Sequence, residues 1–256
     1  MAGKLKLDNG KVLYLYGVTE SRPANVPTMI GVDPLAVVEP LESDGVTCWI
    51  SRVAASDFEE NLAKNMENLE WLAEASVAHQ RAISALAREI EVLPARFGTV
   101  FRTEASLRKH VRGRASILKQ DFERVKGADE WGVKVFEIEP VVRAVGQIRS
   151  GKEYLKAKAA LLPKRRRPAQ DNGELAEFEQ ALKQIAAETA AIGNVSSGQR
   201  GLTFQTSLLV KRANRARLES VLKKFAADWA EARRIECTGP WPPYSFMSRP
   251  DAGQNR

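Results

Sequence analysis

The sequence predicts an α+β protein organised as two units. Three observations carry this. Strand-like runs and long helical stripes both occur between Val12 and Gly127. From Trp131 a second series begins in the order strand, helix, strand, strand, helix, strand. The chain has 256 residues, enough for one or two domains that bury roughly 70% or more of the unfolded surface without a disulfide or metal staple. We place the boundary so that residues 1–127 form the first domain and residues 128–256 the second. The second domain then carries a basic linker insertion at 163–173 and the tail Gly239–Phe246.

Val12–Val18 reads as a buried strand, because it is aromatic, β-branched and ended by glycine. Residues 19–34, with Pro23, Pro27, Gly31 and Pro34, read as a loop. Leu35–Pro40 and Val46–Val53 read as a second and third strand. Ser56 and Glu59 have capping-box spacing, which predicts a helix start there. Leu69, Leu72, Ser76, His79, Ile83, Leu86 and Ile90 then step by three and four, one face of a helix of about six turns. Leu93-Pro94 ends it, and Pro94–Phe101 is extended or turn-like. Thr103 caps a further helix with the stripe Leu107, Val111, Leu118, Phe122 and Val125, which Gly127 closes.

In the second series Trp131–Glu137 alternates like a half-buried strand. A helix is expected over 150–162, broken by Pro163–Pro168. Leu175, Phe178, Leu182, Ile185, Thr189 and Ile192 give another helical stripe, stopped by Gly193. Residues 194–200 form a short expected strand and Leu202–Val210 a clear one. Residues 213–232 form a helix with Leu218, Val221, Leu222, Phe225 and Trp229 on one side, and Arg234–Thr238 a last strand. This is the split βαβ, or ferredoxin-like, order: two helices on one face of an antiparallel sheet. The name is topological, since no set of four cysteines exists for an iron–sulfur cluster.

Composition narrows the chemistry. The chain is 44% hydrophobic and 28% charged, ordinary for a globular protein. No stretch approaches the roughly 18–20 apolar residues of a membrane span, and the early apolar run lacks a signal-peptide cleavage site. An intracellular protein with reduced thiols is expected. No P-loop, dinucleotide fingerprint or nucleophile elbow occurs. The acid pairs Glu59-Glu60 and Asp129-Glu130 read as groups at helix starts or turns. His79 reads as a core-edge imidazole hydrogen-bonded to backbone or carboxylate, with a partner contact as the alternative. His110 reads as solvated. Cys48 and Cys237 read as small buried hydrophobes. No catalytic, cofactor-binding or metal-ligating residue is assigned, and no cofactor is expected.

The net charge of +7 directs attention to anionic partners. Lys164–Arg167 reads as a solvated linker, with a phosphate clamp as the alternative. A late helix carries Lys211, Arg212, Arg215, Arg217, Lys223 and Lys224. A basic ferredoxin-like module could bind RNA, yet the strands offer only Phe204 and Trp131 and no RNA-recognition run. The least ordinary peptide is Gly239–Phe246. Pro240, Pro242 and Pro243 hold it extended, and Trp241, Tyr244 and Phe246 offer large apolar area. It either seals the protein's own core or serves as a recognition strip.

These pieces together resemble the gas vesicle accessory proteins of the F and L type (GvpF/GvpL). The resemblance is carried by Leu15–Val18, by His79 on its helix, by Val92–Phe101, by Glu130–Lys134 and by Thr238–Phe246, in the family's order. Ala95 and Cys237 are local departures. The resemblance implies an α/β N-terminal domain followed by a ferredoxin-like C-terminal domain with added helices. It implies a non-enzymatic cytoplasmic protein, associated with the gas vesicle, that binds the hydrophobic shell protein (GvpA type) and prevents its aggregation during nucleation. Other accessory proteins are further partners under that reading; a membrane is not, and nucleic acid remains the rival. The candidate partner-binding residues are Arg96, Phe97 and Gly98, with Pro240, Trp241, Pro242, Pro243, Tyr244 and Phe246.

Overall fold

The computed structural model describes residues 10–23, 28–138, 168–191, 199–230 and 232–248. The helix expected over 150–162 and the basic run 164–167 lie outside them, as does most of the strand expected at 194–200. The chain divides into two compact units, one of residues up to Glu130 together with Pro240 onward, the other of Trp131–Gly239. The sequence reading attached the tail to the second domain; its contacts lie with the first unit.

The first unit is built on a sheet of order β2-β3-β1-β4, with β5 also paired to β1. These are β1 (Lys11–Thr19), β2 (Glu39–Ser43), β3 (Val46–Ala54), β4 (Val92–Pro94) and β5 (Val100–Phe101). Every pairing is antiparallel. All of β1 beyond Lys11 is buried, as its aromatic and β-branched composition demands. Its register against β3 shifts between Leu15 and Gly17, a bulge at Tyr16. The bulge exchanges the two faces of the strand. Tyr14 and Tyr16 point into one core with Trp49, Phe58, Ile83 and Leu86, whereas Leu15 and Val18 line a cavity on the opposite face. Gly17 is required there, since a Cβ would lie 2.8 Å from the Leu93 carbonyl oxygen.

Helix α1 spans Leu62–Glu67 and α2 spans Leu69–Glu89. Helix α2 lays Ala82, Ile83 and Leu86 on the tyrosine face of the sheet. Helices α3 (Glu104–Gly113) and α4 (Ala115–Val125) bury Leu107, Val111, Phe122 and Val125. They serve the Leu15 side of the sheet, where Val111 and Leu118 line one cavity with Leu15. Thr103 caps α3 as expected, with its side chain and that of Ser106 satisfying each other's backbone N–H.

Three expectations in this unit are corrected. Leu35 begins no strand: Asp33-Pro34 starts a turn closed by the Ala36 N–H on the Asp33 carbonyl, and β2 begins at Glu39. Ser56 and Glu59 form no capping box. Ser56–Glu60 is a wide helical turn, and the long helix is capped by Asn68, whose side chain accepts from the N–H groups of Glu70 and Trp71. The stripe from Leu107 to Val125 belongs to two helices, separated at Arg114.

The second unit contains β6 (Ala128–Glu137), α5 (Pro168–Lys183), β7 (Glu188–Ala190), β8 (Leu202–Lys211), α6 (Arg215–Trp229) and β9 (Arg233–Trp241). The sheet order is β7-β8-β6-β9. Trp131, Val133 and Val135 alternate along β6 onto one face, joined by Leu208 and Val210 of β8. Phe178 and Leu182 of α5 and Leu218, Phe225 and Trp229 of α6 pack on that same face. At its centre Phe178 contacts Phe204, Phe225 and Trp229 with ring centroids 4.9–5.8 Å apart. The helical stripe expected to run to Ile192 stops at Lys183, and Glu188–Ala190 pairs instead with Ser207–Leu209. The spacing of Ile185 and Thr189 suits a helix, but tertiary strand pairing overrides it.

Candidate functional site

The first unit concentrates its polar chemistry around one imidazole. His79 is 4% exposed, deep on the apolar stripe of α2. Its ring lies within 6.4 Å, centroid to centroid, of Tyr14, Tyr16, Phe97 and Tyr244. Phe58 and Trp71 extend the aromatic cluster. The Gly98 N–H donates to the Tyr14 hydroxyl oxygen at 3.1 Å, and that oxygen lies 2.9 Å from His79 Nδ1. The Tyr14 hydroxyl hydrogen is assigned to Nδ1, the acceptor within hydrogen-bond distance of it among the described residues. The neutral ring then carries its hydrogen on Nε2, which makes no hydrogen bond of full geometry among the described residues. Burial pushes the His79 pKa from 6.5 down to about 4, against an opposing pull from the Ala95 backbone. The same desolvation raises the phenols of Tyr14 and Tyr244. His79 is thus a structural imidazole bonded to the Tyr14 hydroxyl, with the Ala95 backbone as a weaker partner and no carboxylate.

The candidate residues separate by position. Arg96 is exposed, and Phe97 is half-buried within the aromatic cluster. Gly98 holds a φ of +79°, a left-handed conformation that favours glycine, and so aims its N–H at Tyr14. In the tail, Pro240 and Trp241 are exposed, the latter at 42%, while Pro242, Pro243 and Phe246 are buried. Tyr244 is half-buried, and its hydroxyl has no hydrogen-bond partner. Arg96, Phe97 and Tyr244 meet Ser76, His79 and Gln80 around one recess. Pro242, Pro243 and Phe246 turn inward.

Two carboxylates tie the tail down: Glu130, expected in a turn, and Asp121, which carries no local signal. Glu130, 7% exposed, accepts from the Ser245 N–H at 2.8 Å and the Ser245 hydroxyl at 2.5 Å. Asp121, 2% exposed, accepts from the N–H and hydroxyl of Ser248. Arg124 pairs with Asp121 and donates to the Phe246 carbonyl, while Arg114 donates to the Ser248 carbonyl at 2.9 Å. Asp129-Glu130 therefore lies within β6, not at a helix start or turn, and Glu130 is buried and bonded. The available signal was Glu130 sharing the two-residue register of the buried Ala128.

In the second unit, Trp131 is 8% exposed and Phe204 packs on the same core, so neither provides a solvent-facing platform for stacking bases. Of the cysteines, Cys48 is fully buried with its thiol pushed up to about 12 by desolvation, as expected of a small hydrophobe. Cys237 is exposed, contrary to expectation, because it lies on β9 at the sheet edge. Among the described residues no group of three or more His, Cys, Asp or Glu could hold a metal ion, and no helix is long and apolar enough to cross a membrane.

Comparison with known proteins covers nearly the whole chain. The family described as "Gas vesicle synthesis protein GvpL/GvpF" matches residues 12–248. A curated relative, Gas vesicle protein L of Streptomyces sp. (strain CB03234), is 29% identical over 263 aligned positions, covering 94% of each chain. Among solved structures, GvpF from Anabaena sp. PCC7120 superposes with a TM-score of 0.68 at 18% identity, covering 94% of this chain and 97% of its own. GvpF from Microcystis aeruginosa gives 0.65 at 17% identity, covering 93% and 99%. At such identities these two establish the fold alone.

Proposed function

The chain belongs to the GvpL/GvpF family of gas vesicle synthesis proteins, with a role in gas vesicle formation, and from that premise we propose that it acts as a non-catalytic assembly factor. In this reading it binds the hydrophobic shell protein and keeps it from aggregating while the vesicle nucleates. An unassembled shell subunit exposing strand edges and apolar surface is an aggregation hazard that a partner relieves by covering it. Other accessory proteins of the vesicle are further partners, and the protein works in the cytoplasm at the vesicle.

The observation that carries this reading is the division of labour within the tail. Phe246 and the nearby Pro242 and Pro243 are buried, whereas Pro240 and Trp241 remain exposed in a proline-bounded stretch. A large aromatic surface presented without ordering cost suits an interface anchor. Leu35, Ile30 and Val37, at 96%, 62% and 51% exposure, add apolar surface on the same unit. The second unit is read as the ferredoxin-like domain, supported by its element order and by both helices packing on one face of the sheet.

The test is co-purification of the shell protein with the full chain, alongside light scattering of the shell protein alone and mixed. Binding with suppressed scattering is expected. Trp241→Ala is expected to weaken binding while leaving the melting temperature unchanged. Equal scattering with and without this chain would overturn the reading.

A further inference from the structure

The recess above His79 is built from donors and contains no acid. It measures about 330 Å³ and is lined by Ser76, His79, Gln80, Arg96, Phe97 and Tyr244. Two of the lining residues carry a buried polar atom that makes no hydrogen bond of full geometry among the described residues, His79 Nε2 and the Tyr244 hydroxyl. With Tyr14 on Nδ1, the Nε2 hydrogen is the ring's remaining donor. The Ala95 backbone acts on the imidazole as a weak hydrogen-bond partner, and no bond of full geometry holds Nε2 among the described residues. At the rim, the exposed Arg96 guanidinium makes no ion pair with any described residue. Buried donors left unpaired cost free energy, which an acceptor entering the site would recover.

We propose that this recess binds a carboxylate. One guanidinium supplies a single charge and a planar fork that a carboxylate matches with two oxygens. The imidazole N–H and the phenol are neutral donors that need no counter-charge. A phosphate, with nearly two charges, would call for more cations than Arg96 alone. Tyr244 and His79 both line the recess with ring centroids 6.4 Å apart, so one carboxylate can address both side chains. The carboxylate comes either from a small organic acid or from the end or side chain of a protein. The recess itself does not depend on the shell-protein reading.

The chain has only two histidines, so imidazole NMR of the full protein isolates His79 and uses His110, outside the recess, as internal control. Sodium acetate is titrated at constant ionic strength against sodium chloride, followed by a short peptide with a free C-terminal carboxylate and its amidated twin. A saturable shift of His79 without one of His110 is expected. Arg96→Ala should weaken it about tenfold and Tyr244→Phe about threefold. A response to acetate assigns a small acid; a response only to the free-carboxylate peptide assigns a protein source; both support the site. No saturable shift up to about 100 mM of either probe, an equal shift with chloride, or an Arg96→Ala titration identical to wild type would overturn it.

Discussion

Ser248 donates both its backbone N–H and its hydroxyl to the buried carboxylate of Asp121, at 3.1 and 2.7 Å. Arg124 pairs with the same carboxylate and also donates to the Phe246 carbonyl, so one acid and one base close the tail onto α4. Removing the acid takes the shared acceptor from the part-buried Ser248 N–H, Ser248 hydroxyl and Arg124 at once. Asp121→Ala should cost about 3 kcal/mol, and Asp121→Asn about 1–2 because an acceptor survives. Urea unfolding measures both. Limited proteolysis should show cleavage in the tail of the alanine variant first.

The two tail aromatics should part company. Phe246 is 4% exposed, and Phe246→Ala is expected to cost about 3–4 kcal/mol through the cavity it leaves. Trp241, at 42%, should cost under about 1 kcal/mol when replaced by alanine. Equal losses in thermal unfolding would count against Trp241 as a surface held for a partner.

His79 makes the first unit acid-sensitive. Its folded pKa of about 4 lies below the ordinary 6.5, so between those values the unfolded chain binds the proton and the folded one resists it. Stability is whole above about pH 6.5 and falls as pH drops toward 4, by about 3 kcal/mol for this group alone. His79→Gln should flatten that part of the profile relative to wild type, even if it lowers stability at neutral pH. Denaturant midpoints across the range provide the check.

The bulge in β1 predicts intolerance at Gly17. An added methyl meets the Leu93 carbonyl oxygen at 2.8 Å and a Val92 methyl at 2.9 Å, and the first of these is backbone that cannot step aside. Gly17→Ala should cost about 1–3 kcal/mol. Gly113→Ala, where a Cβ would find nothing within 4 Å, should cost much less under the same measurement.

What could be read from sequence was what local chemistry decides. β1 and β3 follow from aromatic and β-branched runs, and Thr103 from its cap position. Errors arose where a local signal had a competitor. Asp33-Pro34 is a stronger turn signal than Leu35–Val38 is a strand signal, and Asn68 outbids Ser56 as the cap of the long helix. Ile185 and Thr189 fit a helix until β8 claims Thr189 as a strand partner. The recess was the least legible feature. Arg96 and Phe97 were singled out, and so was Tyr244, but nothing local says that they converge on His79. Glu130 and Asp121 likewise look like ordinary surface acids until Ser245 and Ser248 are brought to them.

The tail's attachment also has a biosynthetic side. The first unit is discontinuous: its closing segment begins at Pro240, after all of Trp131–Gly239. Translation at on the order of 5–20 residues per second leaves Glu130 and Asp121 without Ser245 and Ser248 for several seconds on the ribosome. The second unit is complete in sequence before then. Until then the two acids and the seat of Phe246 lack the partners that the tail supplies.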